Sequence, residues 1–213
     1  MRKLLLVLLP ACIDPVDPQW SLDHDHVVVA RATPPRIHAG DATTLDALVA
    51  HAGGPTTVES PLSASAGRTQ VTGAHVTLTA PSDVAYDNGD TPVDVLMMFA
   101  RGTDRALAPV QVKKTVWLGE PRDNPAMPTV TVGGAPAGEA IAVPVDQDVY
   151  LSTSVPSGWR VNWLTSVGTL FQDDEPTSYL HVRPTDAQQG ELACVIRDDE
   201  GGVVWKVWPI ATQ

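Results

Sequence analysis

Long hydrophobic runs, cysteine pairs and basic stretches are missing from most of this 213-residue chain. No segment reaches the roughly 18 consecutive apolar residues of a membrane-spanning helix, so none reads as a transmembrane span. There are 14 Lys and Arg against 25 Asp and Glu, a formal net charge of −11. That balance, with no basic stripe, argues against nucleic-acid binding. It also sets the chain against anionic bilayer surfaces, so attachment to a membrane would have to be covalent or hydrophobic. The two cysteines, Cys12 and Cys194, have no second Cys and no His at metal-ligand spacing. A disulfide between them would join the leader to a late strand. Catalytic signatures are missing as well: no G-x-S-x-G elbow, no H-E-x-x-H, no S-x-x-K and no phosphate-cradling Gly-rich loop. Six histidines lie scattered at 24, 26, 38, 51, 75 and 181. The chain reads as a non-enzyme.

Turn formers are abundant instead. Gly and Pro supply 16 and 19 residues without a collagen period, and 43% of the chain is hydrophobic. Short apolar segments separated by Gly, Pro, Asn and Asp are the pattern of an all-β protein. The length suits two domains of about 100 residues each.

The first residues, MRKLLLVLLPAC, place Arg2 and Lys3 ahead of six aliphatic residues, the order of a secretion leader. Removing residues 1–11 takes away Arg2 and Lys3, so 12 cations would face 25 anions, a net charge of −13. Residues 12–25 are rich in Pro and Asp and read as a tether. Strands are expected at Val27–Ala32, Thr43–Ala50, His75–Ala80, Val93–Arg101 and Gln111–Leu118, forming a first unit over 26–119. The segment Val93–Arg101 is apolar on both faces, as a central strand would be. GEPRDNPAMP, with three prolines, reads as a linker over 120–128. A second unit, 129–213, has strands expected at Thr129–Val132, Val149–Ser154, Trp159–Leu164, Ser178–Arg183, Glu191–Arg197 and Val203–Ile210. The units look like weak internal repeats, PVDVLMMFAR paralleling GELACVIR, each followed by a Trp-bearing strand.

Three stretches carry resemblances. Leu9-Pro10-Ala11-Cys12 resembles the lipobox of bacterial lipoproteins, with Pro10 where the family usually has a small or β-branched residue. The resemblance implies cleavage before Cys12 and acylation of that cysteine, and several acyl chains suffice for stable anchoring. Trp163, Gly168, Leu170, Pro184, Gly190, Asp198, Gly201 and Gly202 are similar to the W…G-x-L…P…G…D…GG skeleton of bacterial immunoglobulin-like and PKD-like surface modules. The chain lacks the WDFGDG of true PKD domains and the Cys…Trp…Cys of antibody domains. VARATPPRIHAGDATTLDALVA resembles the first strands of lipoproteins of deltaproteobacteria. Together these imply two tandem immunoglobulin-like β-sandwiches behind a lipoprotein signal peptide, held at the bacterial cell envelope, in the outer membrane.

Candidate functional residues are few. Asp23-His24-Asp25-His26 combines imidazole with carboxylate, and His24 and His26 fall on one face of an extended chain, but no third ligand is evident. Asp198-Asp199-Glu200 and Asp173-Asp174-Glu175 offer carboxylates of the kind calcium takes, and turn chemistry explains them equally well. His24, His26, Asp198 and Asp199 are therefore weak metal candidates, and no cofactor is expected. Trp159 and Trp163 share one strand face. Trp205 and Trp208 have opposite parity, so a regular strand cannot turn both into one core. One of them is expected at the surface, at the domain junction or against a partner. Trp205, Trp208 and Trp159 are thus the candidate contact residues. The function expected is a lipid-anchored, non-catalytic interaction or structural role toward an envelope protein or a surface glycan. The alternatives are a secreted carbohydrate- or protein-binding module and an envelope hydrolase with its site at the domain junction.

Overall fold

The computed structural model describes residues 18–66, 71–72, 77–80, 91–101 and 108–213, with the backbone alone at 71–72. The leader, Cys12 and the turn expected at Tyr86–Asp90 lie outside the described residues.

The described residues are all-β. The chain first forms β1 (His26–Thr33), β2 (Arg36–Ile37), β3 (Ala42–Ala50), β4 (Thr57–Glu59), β5 (Ser63–Ser65), β6 (Val71–Thr72), β7 (Thr77–Thr79), β8 (Thr91–Phe99) and β9 (Val110–Leu118). These make two sheets, β1-β3-β7-β6 and β2-β9-β8-β5, with β4 added alongside β3 where β7 leaves off. The sequence Thr33-Pro34-Pro35 explains the switch between sheets. Two prolines cannot donate to a ladder, so β1 stops and the chain re-pairs as β2, parallel to β9. Leu45, Ala47 and Val49 of β3 face Val95, Met97 and Phe99 of β8 and Val116 and Leu118 of β9 in the first core.

The second set is β10 (Val130–Val132), β11 (Ala135–Pro136), β12 (Ile141–Val143), β13 (Asp148–Thr153), β14 (Arg160–Thr165), β15 (Thr169–Phe171), β16 (Thr177–His181), β17 (Gln189–Arg197) and β18 (Val203–Thr212). Its sheets are β11-β10-β13-β16-β15 and β12-β18-β17-β14, with β12 parallel to β18. Both sets therefore show the A-B-E-D and G-F-C strand orders of the constant-type immunoglobulin sandwich, each with a short first-strand extension parallel to G. Each is an immunoglobulin-like β-sandwich. In the second, Trp163 stands on the C strand directly across from Cys194 on the F strand. The B strand, β13, carries no cysteine, so Leu151 and Val149 fill the core there. Gly168 is required at the β14–β15 turn: its φ is 72°, and a Cβ would lie 2.3 Å from the His181 carbonyl oxygen.

Burial pushes the Cys194 thiol up to about 12. At neutral pH this thiol is expected to resist alkylation in the folded protein and to react only on unfolding. Mass spectrometry of the Cys194 peptide after a timed iodoacetamide pulse, with and without urea, measures this. Equal labelling in the two conditions would contradict the core placement.

The two sandwiches pack face against face. The outer side of β1 and β3 presents Val29, Leu48 and Ala50, and the outer side of β14, β17 and β18 presents Leu164, Ala193, Val195 and Val203. These residues form one buried cluster with Leu22. Three expectations are corrected by this packing. Strands apolar and buried on both faces include β3 and β17; in β17, Leu192, Cys194 and Ile196 enter the second core while Ala193 and Val195 meet the first sandwich. β8 lies inside its sheet but turns one face to solvent, with Leu96 39% exposed. The end of the 12–25 tether is not a free spacer: the Leu22 amide donates to Thr165 O (2.9 Å), and the Thr165 amide donates to Trp20 O (2.9 Å). That pairing extends the β14 edge and buries Leu22, because an unpaired edge and an apolar side chain are satisfied together. Residues 120–128 likewise clasp rather than merely connect. Asn124 Nδ2 donates to Ala32 O (2.8 Å) and Asn124 Oδ1 accepts the Val203 amide (2.8 Å), tying the two sandwiches through one side chain.

Candidate functional site

The tryptophans separate as parity requires. Trp208 is 1% exposed and lies in the second core. Trp205, on the opposite face of β18, packs into the junction cluster. Its ring lies 3.9 Å beneath the guanidinium of Arg31 on β1, a cation–π contact between the sandwiches. Arg31 is held in place by a two-pronged pair with Asp46, at 3.0 and 2.6 Å. Trp159 is half-buried against the second core. The three candidate contact residues therefore form no common surface: Trp205 is an interdomain contact, and Trp208 is a core residue because its face of β18 is the inner one.

The β17–β18 turn enters the junction from the second sandwich. Asp198 Oδ1 accepts the amides of Glu200 (2.9 Å) and Gly202 (2.6 Å), which shapes the turn. Gly201 has φ 90°, and a Cβ on it would press on the Trp117 ring at 2.9 Å, so only glycine fits there. Its carbonyl accepts a bond from Lys114 Nζ at 2.6 Å, and Glu200 pairs with Arg122 at 2.6 Å. Asp198 is thus committed to its own loop, and Asp199 is exposed. His24 and His26 stack on each other, centroids 4.3 Å apart. His26 Nδ1 lies 3.0 Å from the His24 carbonyl oxygen, and burial lowers its pKa. The hydroxyl of Ser21 bonds to Asp23 and lowers the pKa of that carboxyl. Among the described residues no three His, Cys, Asp or Glu side chains converge on a point that would hold a metal.

A cavity of about 710 Å³ opens beside the junction, lined by Leu22, His51, Pro55, Ser166, Glu191 and Pro209 among others. It brings a Ser, a His and carboxylates to one place. Their bonds, however, run elsewhere. His51 Nε2 lies 2.9 Å from both Glu59 Oε1 and Thr57 Oγ1. Ser166 Oγ accepts the Glu191 amide at 2.9 Å, and Glu191 Oε2 accepts the Thr56 amide at 2.7 Å. Among the described residues Ser166 and His51 share no hydrogen bond, so the cavity holds no Ser–His couple.

The surface that sequence reasoning missed lies on the outer face of the A-B-E-D sheet of the second sandwich. Phe171, Tyr179 and Tyr150 are successive cross-strand partners on β15, β16 and β13. Phe171 is 51% and Tyr150 48% exposed. The tyrosine rings meet edge to face at 4.5 Å. The Tyr179 hydroxyl donates to the Tyr150 oxygen at 3.1 Å, and that bond raises the pKa of Tyr179. Hydroxyl and charged groups flank the row. Thr131 and Ser152 share a 2.6 Å bond on one side, and His181 Nδ1 lies 2.8 Å from Asp148 Oδ1 on the other. The signal was present in VYL and SYL: with Val149, Leu151, Ser178 and Leu180 inside, strand alternation turns both tyrosines outward.

No family model and no curated protein matches the chain. Among solved structures it is similar to murine CEACAM1b, at 14% identity over 87% of this chain and 100% of that one, with a TM-score of 0.32. It is also similar to the N-terminal Ig1-2 module of the Drosophila receptor protein tyrosine phosphatase DLAR, at 12% identity, 89% and 99% coverage and a TM-score of 0.32. A third similarity is to fibronectin(III)-like modules of Clostridium thermocellum CbhA, at 14% identity, 87% and 94% coverage and a TM-score of 0.30.

Proposed function

We propose that the protein is a non-catalytic binding protein, displayed at the bacterial outer membrane by acylation of Cys12, whose contact face is the row Phe171–Tyr179–Tyr150. The observation that carries this reading is the exposure of that row. Large aromatic side chains held rigid on a sheet are the groups that anchor macromolecular contacts, and they lose little entropy on binding. The lipobox-like Leu9-Pro10-Ala11-Cys12 supports the anchor. Two sandwiches clamped by Trp205, Leu22 and Asn124 present the face as part of one body.

A protein of the same envelope is the partner class this reading favours. A surface glycan is the second reading, favoured by the hydroxyls of Thr131, Ser152 and Tyr150 beside the rings. Retention of the purified protein on isolated envelopes tests the face. Joint replacement of Phe171 and Tyr150 by alanine is expected to weaken retention more than tenfold at an unchanged unfolding midpoint, since anchors of this kind contribute about 2 kcal/mol or more. Digestion of the envelopes with protease before the assay separates protein from glycan partners. Retention that ignores both substitutions would rule out this face. In cells, Cys12→Ala is expected to move the protein from the membrane to the soluble fraction, and a variant that stays in the membrane would defeat the anchor.

A further inference from the structure

We propose that the cleft beside the β17–β18 turn is a binding site for a phosphate-type dianion, held between Lys114 and Arg197. The two residues come from different sandwiches, Lys114 from β9 and Arg197 from the end of β17, and both line one cavity of about 320 Å³. Its other walls include Val27–Ala30 of β1 and the Gly201–Val203 segment. Lys114 shares the inward parity of Val112, Val116 and Leu118, so its stem passes through apolar surroundings before Nζ reaches the junction.

Among the described residues neither cation is in an ion pair. Nζ of Lys114 donates to a neutral acceptor, the Gly201 carbonyl. Arg197 Nη1 donates to the neutral amide oxygen of Asn162 at 2.5 Å. Among the described residues no carboxylate lies within the 4.0 Å of an ion pair with either. The acidic groups facing them are Asp198, which lines the same cleft with one oxygen turned onto the amides of its own loop, and Asp173 and Asp174, which line a second cavity together with Asn162 and Arg197. Arg160 stands directly across the ladder from Arg197 and adds repulsion. Burial, and then the charge of Arg197, pushes the Lys114 pKa down to about 8 against the opposing charge of Asp198. Two partly buried cations without an ion-pair partner are costly in any fold. They are a notable choice in a chain with 25 carboxylates available to pair them. A phosphate monoester carries a charge of about −1.5 to −2 at neutral pH and several acceptor oxygens, which matches one ammonium and one guanidinium.

The proposal is independent of the aromatic face. It is tested by calorimetric titration of the whole protein with inorganic phosphate, at ionic strength held constant with chloride. Saturable 1:1 binding is expected, weakened at least tenfold by either Lys114→Met or Arg197→Met, the loss of one charge-assisted contact. Glycerol 3-phosphate serves as the second probe: binding like phosphate indicates a cleft that takes an esterified group, as on a headgroup or a phosphorylated glycan, and weaker binding indicates free phosphate. Should a variant fail to fold, the native protein still decides, because affinity must fall as pH rises through about 8 while Lys114 loses its proton. Lys114→Arg, charged throughout, is expected to remove that dependence. No saturable heat with phosphate beyond the chloride control, or binding by both Met variants as tight as that of the native protein, overturns the site.

Discussion

Replacing Trp163 with alanine is expected to lower the stability of the second sandwich by about 3–5 kcal/mol, a large part of what a domain of this size has in total. Trp163 is fully buried and packs between β13 and β17 in a core that includes Leu151, Leu180, Cys194 and Trp208. Its indole Nε1 donates to Glu175 O at 2.9 Å, and its own amide donates to Asp173 O at 2.7 Å. The side chain thus fills the core and fastens the Asp173–Glu175 loop over the end of β14. Alanine leaves a void that the flanking strands cannot close, and it orphans the Glu175 carbonyl. Trp163→Phe separates the two effects, since it keeps most of the volume and loses only the hydrogen bond, at a cost of about 1–2 kcal/mol from the bond plus the smaller change in packing. Urea unfolding followed by circular dichroism measures both variants, and an unchanged denaturant slope would confirm that the midpoint reports stability. A loss below about 1 kcal/mol for Trp163→Ala would place this residue outside the core.

Trp163 was legible in the sequence for the same reason that its substitution is expected to matter. It alternates with Val161 on a strand bounded by turns, and alternation is a local property. The opposite parity of Trp205 and Trp208 was equally legible: one ring had to leave the core, and it is Trp205 that meets Arg31 of the first sandwich. What alternation could not reveal is what lies beyond the outer face of a sheet. Ala193 and Val195 look like a strand buried on both sides, yet Leu96 of β8 looks the same and faces solvent. The difference is the docking of the other sandwich, set by residues far away in the chain. Short strands such as Arg36–Ile37 and Ile141–Val143 escaped for a related reason. Two or three residues have no period, and each is a strand only because a parallel partner, β9 or β18, is already in place. Trp20–Leu22 sits among prolines and aspartates that resemble a spacer, and only the free edge of β14 makes it a strand-like clasp. The tyrosine row was within reach of parity but demanded three strands in register, which a single sequence does not supply.

The docking itself yields the second large effect. Ala193→Glu is expected to separate the sandwiches while leaving each folded. Ala193 is buried, on the face of β17 turned toward Val29, Leu48 and Ala50, and its cross-strand neighbour is Val207. A glutamate there cannot stay ionised in an apolar cluster, because taking an unpaired carboxylate out of water costs several kcal/mol. Nor can it rotate away, since the side chain leaves the sheet perpendicular to the strand. The Cα–Cβ direction that makes it intolerable in the docked state also points it outward from the second core, so undocking restores its hydration without unfolding anything. The apolar cluster, the Arg31–Trp205 contact and the Asn124 clasp would be lost together, because they share one interface. Scattering should then show a radius of gyration several ångströms above the roughly 17 Å of a compact chain of this length. Lys114, freed from the junction and rehydrated, should titrate near the ordinary lysine value instead of about 8, and phosphate binding should disappear with the cleft. Ala193→Ser, which adds a hydroxyl but no charge, serves as the control and should remain docked. A compact Ala193→Glu protein with an unchanged Lys114 would mean that the two sandwiches are not held by this face.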